Sequence, residues 1–220
     1  MNRVSLKLHT GGRLRRWIGT RLGGDFELGD RVYRRFLHCL GALMLLYFAL
    51  PHRLVGWFTT QDVLLIGLGL VLLLEALRWM VGVELPTIRP YEKGRIASYT
   101  FYAVALVVAV LLFPLPIAFV VVLGTAFVDP LIGELRLSSR WRSTYPWFPG
   151  AVYVLLGASA LILVTHWSAF AAVTFAGIAA VVALTVERPK VPGVDDDLAM
   201  TLVPALVLLA LMLLAPGTFP

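Results

Sequence analysis

Seven stretches of roughly twenty apolar residues follow one another along this chain, at 31–50, 61–80, 96–113, 116–135, 149–165, 168–186 and 198–215. Each is close to the ~20 residues that carry an α-helix across ~30 Å of hydrocarbon. A helix satisfies its own backbone hydrogen bonds, which lipid cannot do for it. The pattern therefore predicts an all-α integral membrane protein with about seven transmembrane helices. Only 15% of the 220 residues are charged, against about 25% in soluble domains. Mean hydropathy is +0.84. The connections are too short to hold a second core, so residues 31–220 read as one polytopic domain behind a basic segment at 1–30. Phe113-Pro-Leu-Pro116 and Thr165-His-Trp-Ser168 read as tight hairpin links.

Lysine and arginine set the orientation. Nine precede the first span or lie in its opening turns, four lie at the end of span two or between it and span three, three follow span four and two follow span six, so 18 of 19 fall on one side. Arg53 alone falls on the other. The expected topology has a cytoplasmic N-terminus and an external C-terminus, in a cytoplasmic or ER-type membrane with its active face cytosolic. The same asymmetry accounts for the net charge of +6 and argues against a nucleic-acid partner, since the basic residues mark membrane ends and not a recognition helix. Leu14, Trp17, Ile18 and Leu22 share a helical face within 13–22, between two Gly-Gly pairs. This reads as a short interfacial helix on anionic headgroups, against the alternative of a disordered basic tail. The first 36 residues lack an apolar signal-peptide core, and the single Cys39 excludes an internal disulfide.

One residue contradicts the apolar pattern. Asp129 lies in the fourth span, where a carboxylate costs about 2.5–3.5 kcal/mol on insertion scales. Pro130 follows it, lacking an N–H and clashing with the carbonyl four positions back, so the helix is expected to weaken beside the charge. An intramembrane acid at such a point is a functional-site hypothesis.

Other polar residues gather at the ends that lead to the same side. His38 shares a face with Arg31 and Arg35. Glu75 and Arg78 end span two, Glu92 and Arg95 begin span three with Tyr99 and Tyr102 farther along, Glu187 ends span six, and Asp195, Asp196 and Asp197 precede span seven. Each has a plainer reading: His38 as an interfacial histidine, Glu75–Arg78 as an intrahelical pair, the loop arginines as topology determinants, the three aspartates as a helix cap. Taken together, carboxylates suit Mg²⁺ held with substrate phosphates, and arginines suit phosphate itself. Phosphoryl transfer asks mainly for positioning and charge neutralisation. The chain has no P-loop, no zinc motif and no Gly-x-Ser-x-Gly elbow.

The order of these motifs resembles the superfamily of dolichol kinase, phytol kinase and CTP-dependent diacylglycerol kinase. Asp30-Arg-Val-Tyr-Arg34-Arg35-Phe-Leu-His38-Cys-Leu-Gly41 is similar to its basic-pair–His–Gly opening, and Glu75-Ala-Leu-Arg78 to its second-span motif. Val128-Asp129-Pro130-Leu-Ile-Gly133 is similar to its central Asp…Gly. Glu187 and then Asp195-Asp196-Asp197 resemble its closing acid and Asp-Asp-Asn, with Asp197 where the family has Asn. The 134–150 loop keeps arginines and hydroxyls but lacks the family's Lys/Ser-Glu-Gly element.

The resemblance implies a kinase that moves the γ-phosphate of CTP, or ATP, with Mg²⁺ to the hydroxyl of a membrane lipid: a polyprenol or dolichol, a phytol-like prenol or a diacylglycerol. Asp129 and His38 would be catalytic. Arg34, Arg35, Arg78, Arg136 and Gly133 would bind the nucleotide phosphates. Asp129, Asp196 and Asp197 would hold metal, with Glu75, Glu92, Glu187 and Asp195 in support. Two alternatives stand beside it: nucleotidyl transfer to a phospholipid, as in phosphatidate cytidylyltransferases, and a non-catalytic lipid-binding or transport relative.

Overall fold

The computed structural model describes residues 26–81, 94–187 and 195–215. The segment before residue 26, with its expected interfacial helix at 13–22, and the expected supporting acid Glu92 lie outside the described residues. The described chain is all-α apart from one small hairpin. Helix α1, Phe26–Leu40, continues as a 3₁₀ segment, Gly41–Phe48, and then strands β1, Arg53–Val55, and β2, Phe58–Thr59, pair antiparallel around Gly56 and Trp57. Gly56 supplies the positive φ of 57° that this two-residue turn needs. Helix α2 spans Thr60–Val81 and α3 spans Ser98–Leu112. Then come α4, Leu115–Leu123, a π-helical turn at Gly124–Val128, α5, Asp129–Leu137, a short 3₁₀ turn at Arg142–Thr144, α6, Trp147–Thr165, α7, Ala169–Glu187, and α8, Asp196–Leu214.

Five of these segments are long and apolar enough to cross a membrane: Thr60–Val81, Leu115–Leu137, Trp147–Thr165, Ala169–Glu187 and Asp196–Leu214. The other two expected spans take a different form. Helix α3 has 15 residues, about 22 Å at 1.5 Å per residue, because Phe113 turns extended before Pro114 and the next helix starts at Leu115 with Pro116 in its first turn. The first span divides into an amphipathic α-helix and an apolar 3₁₀ segment, with the change at Gly41.

The core lies between α3, the α4–α5 segment, α6, α7 and α8, filled by Leu106, Ile117, Val120, Val121, Tyr153, Leu161, Phe175, Met200 and Leu208. Small residues bring these helices close, as packing within lipid requires. Ala172, Ala176, Ala179 and Ala183 of α7 are fully buried, and a methyl group on Gly157 of α6 would stand 3.0 Å from the Ala176 side chain. The link between α6 and α7 is tight, as expected: His166 takes the left-handed conformation (φ 56°, ψ 29°), and Trp167 packs edge-on against Phe175 at 5.0 Å. Helix α2 stands to one side, mostly exposed along its length and resting on α3.

Beside Pro130, where the helix was expected to weaken, its turns widen without breaking. Leu115–Leu137 runs through, and the wide π turn at Gly124–Val128 stands just before Asp129. Widening the turn shifts the carbonyls that the proline ring would strike, so the strain of one missing donor is spread over five residues. Such bulges recur at functional sites.

Candidate functional site

A cavity of about 330 Å³ opens at the end of the bundle where α1, α3, α5, α7 and α8 converge. Nine of the site residues expected from sequence line it: Arg34, Arg35, His38, Asp129, Gly133, Arg136, Glu187, Asp196 and Asp197. Ser98, Tyr99 and Tyr102 complete its polar wall, and Leu37, Pro130 and Ile132 its apolar one. The expected Glu75, Arg78 and Asp195 stand outside the lining.

His38 is held from behind. The Tyr102 ring stacks on the imidazole with centroids 3.8 Å apart and planes 15° apart, and the Tyr102 hydroxyl donates to the His38 carbonyl oxygen at 2.6 Å. Gly41, one turn along, makes this possible: any Cβ there would overlap the Tyr102 phenol ring and hydroxyl. The spacing from His38 to Gly41 thus has a steric cause. His38 Nε2 points into the site, 3.7 Å from Asp129 Oδ2 and 3.5 Å from Asp197 Oδ1. One donor atom from each of the three lies within 4.8 Å of the others.

The two acids are positioned by the same cross-link. Thr125, four residues before Asp129, has its hydroxyl 2.9 Å from the Val121 carbonyl, and Thr201, four after Asp197, has its hydroxyl 2.8 Å from the Asp197 carbonyl; with one hydrogen each, one hydroxyl donates to its carbonyl while the other donates across to its neighbour. The two hydroxyls meet at 2.9 Å, clamping the π turn to the first turns of α8. The aspartates at 195–197 separate into different roles. Asp195 caps α8, its Oδ1 accepting from the Asp197 N–H at 3.1 Å. Asp197 is buried beside His38, and Asp196, one residue back on the helix, lines the cavity outside that triad. Among the described residues His38, Asp129 and Asp197 form a group whose donor atoms lie close enough to share an ion, and the expected Asp196 stands outside it.

The arginines also divide. Arg35 forms an ion pair with Glu134. Arg136 grips Glu187 with both terminal nitrogens at 2.6 Å, Tyr145 adds a hydroxyl bond to the same carboxylate at 3.0 Å, and the guanidinium lies over the Tyr145 ring at 5.3 Å. Glu187 therefore holds a cavity arginine in place. Gly133 lies inside α5 and not in a phosphate-cradling loop; a Cβ there would make ordinary contact with Arg35 Nη2 at 3.8 Å.

Arg78 does not face the cavity. It is buried and bonds Glu75 through Nε at 2.8 Å and Nη2 at 2.6 Å, with a further bond to the Arg95 carbonyl at 2.5 Å. Glu75 also accepts from the Ala97 N–H at 3.0 Å, the Tyr99 hydroxyl at 2.6 Å and Trp79 Nε1 at 3.2 Å. This network ties the outlying α2 to the start of α3 and fixes Tyr99, which does line the cavity. Sequence reasoning placed Tyr99 and Tyr102 with the converging polar residues but gave them no role, and it did not single out Ser98, Thr125, Thr201 or Tyr145. The two threonines carried a signal, since spacings of four place each on the face of its acid.

Comparison of the chain with models of known protein families, with curated proteins and with solved structures finds no match.

Proposed function

We propose that this protein is a membrane lipid kinase that transfers the γ-phosphate of CTP or ATP to the hydroxyl of a polyprenol, a phytol-like prenol or a diacylglycerol. The observation that carries the reading is the meeting of His38, Asp129 and Asp197 with Arg34, Arg35 and Arg136 in one cavity at the end of a membrane bundle. A divalent cation and a polyphosphate are the ligands that such a mixture of carboxylates and guanidinium groups suits. The cavity falls at the small end of the ~300–1,000 Å³ range of ligand sites, and so fits phosphates and their cation. The motif resemblance supports the same reaction.

In this reading Mg²⁺ entering with the nucleotide would neutralise charge on its phosphates. Arg34 and Arg35 orient the triphosphate. Asp129 takes the proton of the attacking hydroxyl as its oxygen bonds to the γ-phosphorus and the bond to the bridging oxygen breaks, releasing the nucleoside diphosphate. The lipid reaches this point from the bilayer past Leu37 and Pro130. The arginine-rich end that holds the cavity faces the cytoplasm, with seven membrane segments, the N-terminus inside and the C-terminus outside.

The position of the label tests the reaction class. Purified protein with Mg²⁺ and a panel of lipid alcohols should transfer label from γ-labelled but not α-labelled nucleotide. Label reaching phospholipid from the α position, with pyrophosphate released, would establish nucleotidyl transfer instead.

A further inference from the structure

We infer that His38, Asp129 and Asp197 form a protein-held site for a first-row divalent transition ion, with Mn²⁺ preferred over Mg²⁺. The three come from separate elements: the C-terminal part of α1, the first residue of α5 after the π turn, and the first turn of α8. Their donor atoms lie within 4.8 Å of one another, with Nε2–Oδ separations of 3.5 and 3.7 Å. Ligand atoms about 2.1 Å from a common ion and at right angles to one another stand about 3.0 Å apart. To reach that spacing the Nε2–Oδ pair would close by about 0.5 Å for Asp197 and about 0.7 Å for Asp129.

The chemistry of the set decides the ion. Mg²⁺ takes oxygen ligands and keeps most of its water. Imidazole suits transition ions, and carboxylates suit Mn²⁺ among them. One half-buried imidazole with two carboxylates is thus a poor Mg²⁺ site and a good Mn²⁺ site. The support behind the ligands is also that of a metal centre, in which outer contacts fix ring orientation. Tyr102 stacks on His38 and holds its backbone, and the Thr125–Thr201 contact fixes the distance between the helices that carry the two acids. Three protein donors on one side would leave the remaining positions facing the cavity, where phosphate oxygens or water can enter. The site concerns the same cavity as the proposed kinase reaction, but it stands on the donor geometry alone.

The test uses untagged, purified protein in detergent micelles without nucleotide, so it is independent of any transfer reaction. Mn²⁺ binding is read from the loss of the hexaaqua Mn²⁺ electron paramagnetic resonance signal. One Mn²⁺ per chain is expected, retained against a hundredfold excess of Mg²⁺ and displaced by Zn²⁺, which ranks above Mn²⁺ for such ligands. Outer-contact changes at metal sites cost about 10–100-fold in affinity. The loss of a direct ligand in His38→Gln or Asp197→Asn should therefore weaken Mn²⁺ by more than about 100-fold, with Asp196→Asn retaining it. Circular dichroism and elution volume confirm that the variants fold; should His38→Gln misfold, Asp197→Asn against Asp196→Asn decides. Equal displacement by Mg²⁺, unchanged affinity in a folded His38→Gln or Asp197→Asn, or loss only in Asp196→Asn would overturn the site.

Discussion

Tyr102 lies flat against His38, 3.8 Å between ring centroids, and its hydroxyl holds the His38 carbonyl at 2.6 Å. The arrangement exists because residue 41 has no side chain. A helix residue thus serves the site through the room it leaves, and Tyr102 joins α3 to α1 at the point where the cavity begins.

Gly41→Ala should displace Tyr102 and unstack it from His38. Overpacking of this kind costs about 1–3 kcal/mol, more than the gain from replacing a helical glycine. A lower unfolding temperature in detergent together with weaker Mn²⁺ binding is the expected pair of results; unchanged Mn²⁺ binding would show that the stack does not position His38.

Glu75 and Arg78 are both buried, each 6% exposed, and each is the other's partner. Removing one charge leaves its partner uncompensated, at about 3–5 kcal/mol. Glu75→Ala should therefore destabilise strongly, and Glu75→Leu with Arg78→Met should be more stable than either single change. Thermal unfolding of Glu75→Ala, the two other single variants and the double variant checks this. Additive losses would mean that the two charges do not depend on one another.

Pro130→Ala restores a backbone donor and removes the ring that the π turn accommodates. The turn should tighten toward α-helix and swing Asp129 away from His38. A shift of an ångström at a reacting group costs about a hundredfold in rate, so transfer should fall far more than stability does. Parallel measurement of turnover and unfolding temperature separates the two.

The apolar runs made five long helices and the tight α6–α7 link legible, because burial in lipid leaves helical segments few options. They did not reveal that the first span changes to 3₁₀ at Gly41 or that α3 stops at 15 residues, since both follow from side chains on other helices or from two prolines acting together. The gathering of acids and arginines at one end was legible from charge placement. Pairing was not: which of Asp195, Asp196 and Asp197 faces His38 and Asp129 depends on how α8 is rotated by its packing on α3, α4 and α7, a rotation that also brings Thr201 to Thr125. Arg78 and Arg136 looked alike as phosphate ligands, yet Glu75 holds Arg78 outside the cavity lining while Glu187 holds Arg136 within it. Chain order does not encode which acid reaches an arginine first.

Asp129 carries the central claim, and one comparison tests it. Wild-type protein and Asp129→Asn, each reconstituted with lipid alcohols and given Mg²⁺ and γ-labelled CTP or ATP, are followed for label in the lipid fraction. The expected result is labelled lipid from the wild type and a loss of at least about 100-fold in the variant, the scale of a proton-accepting group, with the variant's unfolding temperature unchanged. Label absent from the wild type with every nucleotide and lipid offered, or equal turnover in folded Asp129→Asn, would contradict it.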